Sequence, residues 1–63
     1  MNEQLLKTLL KRYDAEIEDA IYKVDCICKH NMVIPEHVDI TGEIDKQLER
    51  VASAEDKVAA LRK

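Results

Sequence analysis

Apolar residues recur through the first half of the chain at Leu6, Leu10, Tyr13, Ile17, Ala20, Val24 and Ile27, with spacings of 4, 3, 4, 3, 4 and 3. A stripe that repeats every ~3.5 residues stays on one face of an α-helix when that helix meets a partner at a shallow left-handed angle. Sustained over three heptads, the pattern predicts a helix over about residues 3–30. Leu9, Ile21 and Cys28 flank the stripe and widen it to roughly three positions in seven, the breadth of a bundle face. Glu3/Lys7, Asp19/Lys23 and Asp25/Lys29 place an acid one turn before a base on the outer side, the favourable order for helical ion pairs.

The period stops at Asn31, a residue type that tolerates the left-handed conformation found at helix ends, and Pro35 pushes Ile34 out of the helical region. A connection to about residue 40 follows. Connections between bundle helices are usually polar and roughly 2–8 residues long. This one holds Met32, Val33, Ile34, Val38 and Ile40, so its apolar groups are expected to be buried, either over the end of the helices or under a partner.

A second helix is expected over about residues 41–62, with Thr41 as N-cap, Asp39 as the other candidate, and Glu43 and Asp45 near the positive end of the dipole. Its apolar set, Ile44, Leu48, Val51, Ala54, Val58 and Leu61, has spacings of 4, 3, 3, 4 and 3. The rhythm is broken once. Ala52, Ala59 and Ala60 surround this stripe, which allows close approach but supplies less apolar area than the first helix does.

Folded back on each other, the two helices make an all-α antiparallel helical hairpin, one domain spanning 1–63. In a lone hairpin each helix has one neighbour, and half of a three-in-seven face stays wet; single cores this small rarely suffice. Pairing two hairpins into a four-helix bundle covers both sides of each stripe. The chain itself is therefore the first expected partner, through Leu6, Leu10, Tyr13, Ile17, Ala20, Val24, Ile27, Ile44, Leu48, Val51, Val58 and Leu61. The alternative is a solitary hairpin that docks its open face on a different protein. In length and layout the chain resembles the Rop family of plasmid-encoded hairpins, which dimerise into four-helix bundles and bind paired RNA loops. The resemblance is one of architecture. No sequence motif is shared and the connection here is longer, so no residue role carries over.

Composition agrees with helices and narrows the function classes. Of 63 residues, 46% are hydrophobic and 37% charged, with one Gly and one Pro, too little punctuation for a sheet protein. The net charge is -3, and acidic and basic groups are interspersed, so no general positive field draws the chain to nucleic acid or an anionic membrane. Lys7, Lys11 and Arg12 form one short basic strip without exposed aromatics to stack bases, which leaves an RNA-binding bundle as a third-ranked reading. No apolar run approaches the ~20 residues that span a bilayer. Two cysteines in a Cys26-Ile27-Cys28 arrangement form no disulfide framework and suit a reducing compartment, hence an expected cytoplasmic location.

Cys26, Cys28, His30 and His37 are the residue types that zinc prefers, and a zinc-stabilised hairpin is the runner-up reading. Their spacing matches no usual zinc pattern. Cys26 and His30 share a helix face while Cys28 points elsewhere, so no metal and no cofactor are expected. Asp14, Glu16, Glu18 and Asp19 read as a solvated acidic face without a pocket to shift a pKa, and Cys26 with His30 lacks an orienting third group. No catalytic residue is named. The expected function is protein–protein binding by a non-enzymatic accessory protein, with Met32, Val33, Ile34 and Val38 of the connection, and Tyr22 as an outlying anchor, as the surface for an unidentified protein partner.

Overall fold

The computed structural model describes residues 2–30 and 39–63, and for His30 the backbone alone. Met32, Val33, Ile34, His37 and Val38 lie outside the described residues. Two helices, α1 (Glu3–His30) and α2 (Ile40–Leu61), pack side by side. Contacts from Arg50 of α2 to Glu16 and Asp19 of α1, and from Lys57 to Tyr13, run in opposite chain order, so the helices are antiparallel. The hairpin is a rod of 49 × 15 × 14 Å.

The two helices start differently, α1 on a side-chain acceptor and α2 on a backbone one. The Asn2 side-chain oxygen accepts the Leu5 N–H at 2.7 Å and satisfies one of the free donors of the first turn of α1. α2 begins one residue earlier than its spacing suggests, with Ile40 inside it and Asp39, not Thr41, at the N-cap. The Asp39 backbone there is extended, as a cap requires, and its carbonyl accepts the Glu43 N–H at 2.9 Å. Thr41 instead donates its hydroxyl to the Asp39 carboxylate at 2.8 Å. That carboxylate lies against Gly42 so closely that a Cβ on residue 42 would stand 2.9 Å from the Asp39 Cγ. A side chain at 42 would turn Asp39 away.

All seven α1 stripe residues from Leu6 to Ile27 are at least partly buried, as the 4–3 spacing requires. On α2 the covered positions are Ile44, Gln47, Val51, Ala54, Val58 and Leu61, an unbroken 3, 4, 3, 4, 3 rhythm, with Arg50 half-buried beside it. Gln47 therefore occupies the seam, and Leu48, assigned to it above on hydropathy, stands 52% exposed beside it. The core is thin. Among the described residues Ala20 and Ala54 are the only buried hydrophobic ones, at 0% and 4% exposure, because two helices alone enclose fully only what lies at their line of closest approach.

Candidate functional site

The two flanks of the seam differ in what they leave unfinished. On one, Arg50 Nη2 lies 2.7 Å from the Glu16 carboxylate and Nη1 3.0 Å from Asp19, while Nη1 also donates to Gln47 Oε1 at 2.7 Å. Asp19 is further paired with Lys23 at 3.0 Å, one turn along α1. Lys23, then Arg50, hold the Asp19 carboxyl below its ordinary range, and Glu16 and Asp19 in turn hold the guanidinium proton. Lys57 stands 5.5 Å from the centre of the Tyr13 ring, over its face. Arg12, Lys46 and Glu49 complete a shallow groove on this side. Its charges are mixed, and Arg50 is already engaged by Glu16 and Asp19.

On the other flank, Asp14, Glu55 and Arg62 border a groove floored by Ile17 and Val58. Among the described residues every interhelical ion pair is made by Arg50, so this flank has none. Heptad position places Ile21 and Leu48 on this same flank, one repeat beyond Asp14 and before Glu55, and antiparallel pairing sets them level with each other. Both are more than half exposed, at 55% and 52%. Two large aliphatic side chains thus stand exposed beside the seam on this flank.

The remaining candidates are dispersed. Tyr22 is 66% exposed on the outer face of α1, and hydrogen bonding to Cys26 one turn on raises its hydroxyl above the ordinary tyrosine value. Cys26 is half-buried whereas Cys28, read from its spacing as widening the apolar stripe, is exposed. Among the described residues no three His, Cys, Asp or Glu side chains gather to share a metal ion. No described helix is long and apolar enough to cross a membrane. The outer-face pairs Glu3/Lys7 and Asp25/Lys29 close at 3.6 and 3.2 Å.

Hydropathy alone could not find the Gln47–Arg50 cluster, because a glutamine in a seam carries no apolar signal. Strict 3–4 counting back from Val51 reaches Gln47 and Ile44 and would have located it. Comparison with known protein families, curated proteins and solved structures finds no match to this chain.

Proposed function

We propose that the chain is a small non-enzymatic accessory protein that acts through protein–protein binding, as an inhibitor, adaptor or assembly chaperone, in the form of a self-associating helical hairpin. The observation that supports this reading is the distribution of apolar surface. Among the described residues only two alanines are buried, while Leu5, Ile21, Tyr22, Ile40 and Leu48 are all more than two-fifths exposed. A chain that encloses so little gains its remaining hydrophobic stabilisation by covering these groups with another protein surface.

Sedimentation equilibrium over a micromolar concentration range tests the reading. A mass above the 7.3 kDa of one chain, with a thermal midpoint that rises with concentration, is the expected result. A well-folded 7.3 kDa species with a concentration-independent midpoint would refute self-association.

A further inference from the structure

We propose that a second copy of this chain covers the flank bearing Ile21 and Leu48, lying antiparallel to the first about a two-fold axis at the level of those two residues. The inference rests on the self-association reading and specifies its face and symmetry.

Area argues for a partner of this size. The hairpin exposes 5269 Å². A compact monomer of 7.3 kDa exposes about 4,200 Å² by the usual scaling of surface with mass. The excess is therefore about 1,100 Å² per chain, and two chains that hide it form an interface of about 2,200 Å², within the range of stable homodimers. The radius of gyration, 14.8 Å against about 11 Å for a compact chain of this length, reflects the same elongated, thinly covered shape.

Exposure selects the flank. The Arg50 side is closed by ion pairs between the two helices, whereas the opposite side presents Ile21 and Leu48 next to a groove floored by Ile17 and Val58. An isologous contact centred there sets Ile21 against Ile21 and Leu48 against Leu48.

Charge then selects the direction. Along this flank α1 presents Lys7, Asp14, Ile21 and Cys28 at successive heptads, and α2 presents Arg62, Glu55, Leu48 and Thr41 beside them. A copy laid parallel would stack acid on acid at Asp14 and Glu55 and base on base at Lys7 and Arg62. Antiparallel about the Ile21–Leu48 level, the acidic groups instead meet the uncharged Cys28 and Thr41 level of the other copy. A shifted antiparallel contact that matched acids to bases would leave the aliphatic pair bare, against the area argument.

The test uses the full chain with Cys26→Ser and Cys28→Ser. Ile21→Cys in that background should form a disulfide-linked dimer on mild oxidation, and Tyr22→Cys, on the outer face, should not. Independently, Ile21→Asp with Leu48→Asp should return the sedimenting species to 7.3 kDa. A dimer that persists in the Asp variant, or an Ile21→Cys chain that links no better than Tyr22→Cys, overturns the assigned face while leaving self-association standing. A wild-type monomer overturns both. Should the Asp variant unfold, the cysteine pair still decides the face.

Discussion

Arg50 of α2 lies on Glu16 of α1 through two donors at once, Nε at 3.2 Å and Nη2 at 2.7 Å from the same carboxylate oxygen. Its third nitrogen, Nη1, reaches Asp19 and the Gln47 side chain. One guanidinium thus ties three side chains on two helices, a task that needs its planar fork and that a single ammonium cannot reproduce.

Arg50→Lys should therefore lower the thermal midpoint nearly as much as Arg50→Ala, although it keeps the charge. The loss should be small and should shrink in high salt, because these side chains are partly exposed. Thermal denaturation by circular dichroism at low and high salt checks this. A Lys variant indistinguishable from wild type would show that charge alone suffices.

Acid should loosen the hairpin through Asp19 and Asp39. Lys23 and Arg50 depress the Asp19 carboxyl; the Gly42 backbone and then the Thr41 hydroxyl depress that of Asp39. Both folded values lie below the unfolded 3.8, so both groups contribute stability that is present above that value and lost as pH falls through the lower folded ones. The stability deficit of Asp19→Asn/Asp39→Asn should be constant near neutrality and fade as pH falls below 3.8 and through the lowered folded values. Urea denaturation at stepped pH measures it, and a deficit unchanged by acid would contradict the assignment.

Ala20→Leu should destabilise by about 1–3 kcal/mol, since Ala20 is fully covered at the line of closest approach and extra methyl groups would force the helices apart. Chemical denaturation reads the change directly. An unchanged midpoint would mean that the helices separate there at no cost.

Gln47→Leu should raise stability by about 1 kcal/mol, because it extends the apolar seam to an unbroken run from Ile44 to Leu61. Arg50 is partly exposed and retains Glu16 and Asp19, so it is not stranded. Denaturation midpoints of the variant and wild type settle the sign.

How far the fold is legible in the sequence depends on the helix. α1 reads correctly because every seam position is apolar or alanine, and the stripe from Leu6 to Ile27 is the one that faces α2. α2 reads with one error because Leu48 is more hydrophobic than Gln47, and hydropathy counting gives the seam to the greasier neighbour. The polar residue is accommodated by Arg50, a cross-helix partner that no local pattern announces. The α2 cap resisted for a related reason. Asp39 and Thr41 are both good caps, and their hydrogen bond to each other is visible only in three dimensions. The flank bearing Ile21 and Leu48 depends on the first of these, since it emerges as a pair only once Leu48 is moved off the seam.

Uniform heptads are prone to slippage, because any shift of one helix by seven residues restores the same apolar match. In this hairpin a slip in one direction would bring Arg50 opposite Leu9 and Glu43 opposite Glu16; in the other it would bring Arg50 opposite Lys23. Each misaligned hairpin keeps its greasy stripe yet meets a wasted or repelling charge. Partly exposed as it is, the Arg50 cluster matters less for how firmly the chain folds than for which of several near-equivalent hairpins it becomes, and so for whether successive molecules present the same outer face.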